Sequence, residues 1–239
     1  MKPLTSFQEL DALGEGLSRD YIAKNHRWNA RCFDIEGFIT DYLGLTIVYE
    51  NFAEKDTSKI GFSANGIDPL LVRRKGKIIS VVFPKDTIVI DQYLLRPEES
   101  SRRRFTLAHE AAHKIMERHV PMPHACFHSD YDSEADYSEE DLRRIFSLNE
   151  TFTNRLGAAI IMPGFLVAKA LKNYNHAQKL KCYDGMVLAP ENKMIAQKMA
   201  DSLGVSYSAL LNRLKELSLL EVHPLSEYIA GSLHFGGAK

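Results

Sequence analysis

Residues 102–119 read RRRFTLAHEAAHKIMERH, with His109 and His113 four apart and Glu110 directly after the first. On an α-helix, four residues leave about 40° between side chains and about 6 Å of rise, so both imidazoles can grip one ion. Glu110, about 100° round from His109, can reach a water beside that ion without competing as a ligand. The chemistry this suits is metal-assisted peptide hydrolysis. Zinc on three protein groups keeps a fourth position for water and lowers its pKa to about 7. A neighbouring carboxylate can take the proton and pass it to the leaving amine. The bland alternative is a packed helix with two structural histidines. Phe105, Ala108, Ala112 and Ile115 form the apolar stripe that would pack it.

A third ligand is needed, and the chain offers three sources. His119 lies six residues beyond His113, a spacing used where a glycine breaks the helix. Met116 occupies that glycine position here, so His119 stays on a continuing helix about 240° away. His124 and His128 fall in a stretch rich in Pro, His, Asp and Tyr, where loop histidines are usually surface residues. Glu150 is the strongest of the three. In NETFTNRLGAAIIMP it shares a helical stripe with Phe146, Asn154, Gly157 and Ile161, and a carboxylate on such a stripe requires a partner. That partner could instead be Arg143 or Arg155, with Glu150 half exposed. Gly157 would let a second helix come close, and Asn154, one turn on, could orient a ligand. The set expected is His109, His113 and Glu150.

Elements able to position these groups are visible around them. Helices are expected at 8–26 and 33–43, the second closed by Gly44. From Leu45 to Leu95, LTIVYE, KIGFSA, LLVRR, IISVVF and TIVIDQYLL are short β-branched runs between NGIDP, KGK and PKD turns. They predict a small, mostly antiparallel sheet. The motif helix opens at RPEESS, with Pro97 first and Glu98 and Glu99 at the positive end of the dipole, and runs to about Arg118. Further helices are expected at about 139–161, 164–173, 192–203 and 206–218. The fold class is α+β, one domain over 1–222, with sheet at about 45–95, active-site helices at about 97–161 and a helical part at about 164–222. Residues 223–239 read as a tail.

The segment Arg104-Phe105-Thr106-Leu107-Ala108-His109-Glu110, followed by Glu150, Asn154, Ala159, Met162 and Pro163, resembles the ImmA/IrrE family of bacterial metallopeptidases. The resemblance takes in DYLGLTIVYE and GFSANG upstream and MADSLGVSYSALLNRLKEL downstream, roughly residues 30–220. It implies a thermolysin-like helix with one Zn2+ on His109, His113 and Glu150, and Glu110 as catalytic base. It also implies a protein substrate, a helix-turn-helix repressor. Two departures stand out. Ala112 replaces the usual glycine, and the gap from His113 to Glu150 is long and carries an acidic insert, which bears on cleft and substrate.

That insert, DYDSEADYSEED at 130–141, holds seven carboxylates in twelve residues. It falls short of a calcium loop, since Ala135 stands at the turn glycine and Asp141 at the bidentate glutamate. A solvated acidic loop is expected, able to attract a basic substrate. His124, His128, Tyr131 and Tyr137 are candidates to hydrogen-bond an oxyanion. MADSLGVSYSALLNRLKEL has a helix-turn-helix cadence, with Ser206 a natural N-cap, so a DNA-binding regulator using 195–218 is a rival function. Yet residues 191–221 carry four basic and four acidic side chains, and the whole chain has a net charge of −1. No electrostatic footprint for nucleic acid follows. A zinc-binding sensor or interaction module without turnover is the other rival. The runs RRR at 102–104 and RRKGK at 73–77 are expected to be solvated. Three separated cysteines form no disulfide framework, and no run of about 18 apolar residues occurs. The start MKPLTSFQELDALGEGL lacks the apolar stretch of a leader, so a cytoplasmic setting without membrane contact is expected.

Overall fold

A computed structural model of the chain describes residues 6–56, 59–119, 148–184 and 187–227. It is a mixed α+β structure. Helix α1 (Phe7–Lys24) starts at a reciprocal cap in which Ser6 and Glu9 each accept the other's backbone N–H. Helix α2 (Ile35–Gly37) is capped by the Asp34 carboxylate on Gly37 N. It widens at once into a π-turn (Phe38–Tyr42) and ends before Gly44, which has φ 68°.

The expected strands form, divided between two sheets. β1 (Thr46–Glu50), β5 (Thr87–Asp91) and β2 (Gly61–Ser63) make one sheet in the order β1-β5-β2, with β1 parallel and β2 antiparallel to β5. β3 (Pro69–Arg74) and β4 (Lys77–Val82) form a separate antiparallel hairpin. Strand alternation assigns the faces. Val48, Phe62 and Val89 pack with Leu70 and Val72 of the hairpin, while Ile47, Tyr49, Ile88 and Ile90 join the helical core on the other side.

Against that second face lies α3 (Ser100–His119), entered through a short 3-10 turn at Pro97–Glu99. α4 (Leu148–Ile161) crosses α3, and α1 in turn covers α4. Where α3 meets α4, Gly157 makes the closeness possible: a Cβ there would sit 3.2 Å from the Ala108 carbonyl oxygen and the His109 nitrogen. α5 (Gly164–Asn175), α6 (Pro190–Leu203) and α7 (Tyr207–Glu216) follow, α7 capped by Ser206 on Ala209 N.

A third sheet was not anticipated. β6 (Leu180–Tyr183) pairs with β7 (Val187–Leu188) and, in parallel, with β8 (Leu220–His223). Runs of two to four residues are too short to show alternation, and only Leu180, Cys182 and Leu188 of β6 and β7 are buried in the core. β8 also draws the first residue of the expected tail into the fold. No single helix among the described residues is long and apolar enough to cross a membrane.

Candidate metal centre

From Phe105 to Met116 every residue of α3 is buried, histidines included. An apolar stripe alone would leave one side wet. α3 is instead held between the β1–β5–β2 sheet and α4, so small residues such as Ala108, Ala111 and Ala112 serve on both flanks. Its first turn is fastened as well. Arg104 donates to the carbonyls of Phe33 and Gly204, Arg103 lies 3.6 Å from Glu36, and the Arg102 guanidinium sits over the Tyr93 ring. Arg103 and Arg104 thus tie elements together, while Arg102 stays exposed, as expected of the whole run.

The site has three donors. His109 Nε2 and His113 Nε2 stand 3.1 Å apart, and the Glu150 carboxylate approaches them at 3.5 Å and 3.6 Å. Ligands on a tetrahedral zinc, about 2.0–2.1 Å from the ion, lie about 3.3–3.4 Å from one another. The observed separations bracket that edge length. Two imidazoles and one carboxylate are also a donor set zinc accepts with one position left for water. The three residues are thus compatible with a bound metal ion, and among the described residues they are the one such group.

His109 is oriented from behind. Its Nδ1 lies 2.7 Å from Asn154 Oδ1, one turn beyond Glu150 on α4. An amide oxygen only accepts, so Nδ1 carries the proton and Nε2 turns its lone pair toward His113 and Glu150.

Glu110 is fully buried on the sheet side of α3. The Ser63 hydroxyl donates to Glu110 Oε2 at 2.8 Å, with the Glu110 carbonyl oxygen 3.1 Å away. Gly61, on the same face of β2, leaves room for the carboxylate; a Cβ there would fall 2.3 Å from Oε1. One residue past the second histidine, buried Lys114 donates to the Ala64 carbonyl at the end of β2 and lies 3.6 Å from Glu117. Burial pushes its pKa below the usual lysine range, against the pull of Glu117 and Glu110. Gly61, Ser63 and Lys114 were not singled out from the sequence. A small residue and a hydroxyl two apart in GFSANG, on a strand that must meet a helix, were the available signal.

α3 remains helical through His119, so no break swings that residue round. His124, His128, Tyr131, Tyr137, Arg143 and the acidic insert lie outside the described residues. Arg155, the alternative partner for Glu150, is engaged with Asp11 and Glu216 instead. In α7, Ala209, Leu210, Leu211, Arg213 and Leu214 are buried, so one face of that helix serves the core. The RRKGK run, by contrast, lies at the exposed tip of the hairpin, with Arg74 paired to Glu50.

A histidine pair on one buried helix, closed by a carboxylate from a crossing helix, defines a metallopeptidase-like architecture. The model of the IrrE N-terminal-like domain, peptidase family M78, matches residues 40–215, from the π-turn after α2 to the last turn of α7, and the chain belongs to that family. No curated protein matches the chain.

Proposed function

We propose that the protein is a zinc-dependent endopeptidase, with His109, His113 and Glu150 as ligands and Glu110 as general base. The observation that carries this is the convergence of three donors at 3.1, 3.5 and 3.6 Å beside a buried glutamate, in a chain of a peptidase family. When bound, zinc supplies a Lewis acid that brings the pKa of water down to about 7 and polarises a carbonyl oxygen.

The chain's own groups supply the rest. Asn154 keeps the proton on the far nitrogen of His109, so its near nitrogen remains a donor. The Ser63 hydroxyl holds Oε2 of Glu110 and thereby fixes the plane of the carboxylate. Glu110 takes the proton of the attacking water and delivers it to the amine nitrogen as the peptide bond breaks.

For substrate we propose a helix-turn-helix repressor in the cytoplasm, on the resemblance to ImmA/IrrE peptidases. Three separated cysteines suit a reducing compartment. The experiment is a comparison of wild type, Glu110→Gln, His113→Ala and Glu150→Ala for metal content and for cleavage of a repressor encoded beside the gene. About one zinc per chain is expected in wild type and in Glu110→Gln, with both ligand variants depleted. Only wild type should cleave. Cleavage by Glu110→Gln at the wild-type rate would remove Glu110 from the mechanism, and full zinc in Glu150→Ala would remove that ligand.

A further inference from the structure

We propose that the open edge of β4 takes up an extended acidic segment of another protein as an added strand. The hairpin turns at Lys75 and Gly76, with φ of 51° and 77°, which makes Arg74 and Lys77 its closing hydrogen-bonded pair. Alternation along the ladder then directs the backbone groups of Ile78, Ser80 and Val82 away from β3. The opposite strand obeys the same phase: Arg73 N donates outward to Asn51 O, and Leu71 O accepts from Ala53 N. The outer edge of β3 is thus covered by residues 51–54. β4, among the described residues, pairs with β3 alone.

Edge strands are commonly guarded by an internal charge, a proline or a bulge. Between Ile78 and Val82, β4 has none of these; Val81 packs on the core beneath the hairpin, but the other apolar side chains of the strand are exposed. Ile78 is 54% exposed, Val82 52% and Ile79 39%, with Ile67 at 78% just before the hairpin. Charge identifies the occupant. Residues 67–86 hold five basic side chains, of which Arg74 is already paired with Glu50; Arg73, Lys75, Lys77 and Lys85 remain against Asp68 and Asp86, in a chain whose net charge is −1. An incoming strand alternating acidic and apolar residues would satisfy the backbone edge, cover Ile78 and Val82, and meet the cations at both ends.

Other occupants fit less well. Two-fold pairing of β4 with a second copy brings Lys75 and Lys77 of one chain beside Lys85 of the other. A lipid surface supplies no partners for the open N–H and C=O groups, and the exposed hairpin positions carry no aromatic anchor for it. Single-stranded nucleic acid lacks an aromatic platform here. The hairpin packs on the face of the β1–β5–β2 sheet opposite α3, so this surface is separate from the metal centre and stands whether or not that centre hydrolyses peptides.

The test titrates the full chain, labelled with 15N, with a fluorescent peptide of alternating Glu and Val, about eight residues long to match a strand. The amides of Ile78, Ser80 and Val82 should shift together and saturate. Ser80→Pro, which removes one outward N–H, should weaken binding by at least an order of magnitude. The pair Lys75→Glu with Lys77→Glu, at exposed positions in and beside the turn, should do the same, and a Lys–Val peptide should not bind. Equal affinity of both variants would overturn the proposal, as would absence of saturable binding by the wild type. So would light scattering that finds a dimer dissolved by Ser80→Pro, or binding to phosphatidylserine vesicles without peptide binding.

Discussion

At Nδ1 of His109, the 2.7 Å contact with Asn154 Oδ1 decides which ring nitrogen carries the proton. Without that acceptor the ring can adopt the other tautomer, with N–H directed at His113 and Glu150, which a metal ion would have to displace. Asn154→Ala should therefore lower zinc affinity by about 10–100-fold. Asn154→Asp, which keeps an acceptor oxygen, should recover most of it. Competition against a chromophoric chelator measures both without any peptidase assay, and wild-type affinity in Asn154→Ala would show that the contact is idle. The contrast with Glu110 bears on what a sequence reveals. The pairing of His109 with His113, and the place of Asn154 one turn past Glu150, follow from helix geometry, which is local and so legible. The Ser63 contact to Glu110 joins a strand to a helix 47 positions away, and no spacing rule connects them.

Gly157 works at the scale of the element. Alanine there would gain about 1 kcal/mol of helix propensity. Its Cβ, however, would press at 3.2 Å on the backbone of α3, a helix buried from Phe105 to Met116. Overpacking of that kind costs about 1–3 kcal/mol, so Gly157→Ala should be destabilised on the order of 1 kcal/mol and Gly157→Val by more. Urea unfolding gives the sign, and a more stable alanine variant would mean that the crossing can relax. The two helices of this crossing were legible because long periodic segments announce themselves. Elements defined by partners were less so. The short strands β6, β7 and β8 are strands because β6 pairs with both of the others, and Arg104 is a clamp because Phe33 and Gly204 present carbonyls to it. Neither cause is written in a local pattern.

For the whole molecule, stability should decline in alkali in a particular window. Burial, and then the bond to Asp34, pushes Tyr21 up to about 12; burial and the bond to Asp20 push Tyr42 up to about 12. Unfolded tyrosine loses its proton near pH 10, whereas these two keep theirs in the fold. Their contribution is thus complete below about pH 10 and is lost as pH rises toward 12. The tyrosinate absorbance should show two late protons that disappear in urea. A second whole-molecule feature ties distant segments together: Arg213, 1% exposed, donates to Asp11 at 2.6 Å, to Glu216 at 3.0 Å and to the Met162 carbonyl at 3.0 Å. Arg155 pairs with the same two carboxylates, so α1, α4 and α7 meet at one network. Removing one member of a buried charge network costs about 3–5 kcal/mol when its partners are left unmet. Here the Asp11 and Glu216 side chains stay 23% and 26% exposed and retain Arg155, which places Arg213→Met near the lower end, about 3 kcal/mol. Because α4 also carries Glu150 and Asn154, the variant should lose zinc affinity along with stability, although Arg213 touches none of the ligands. Chemical denaturation and zinc titration of the same protein test the link. A destabilised variant with wild-type zinc affinity would show that the metal centre is held by the crossing of α3 and α4 alone.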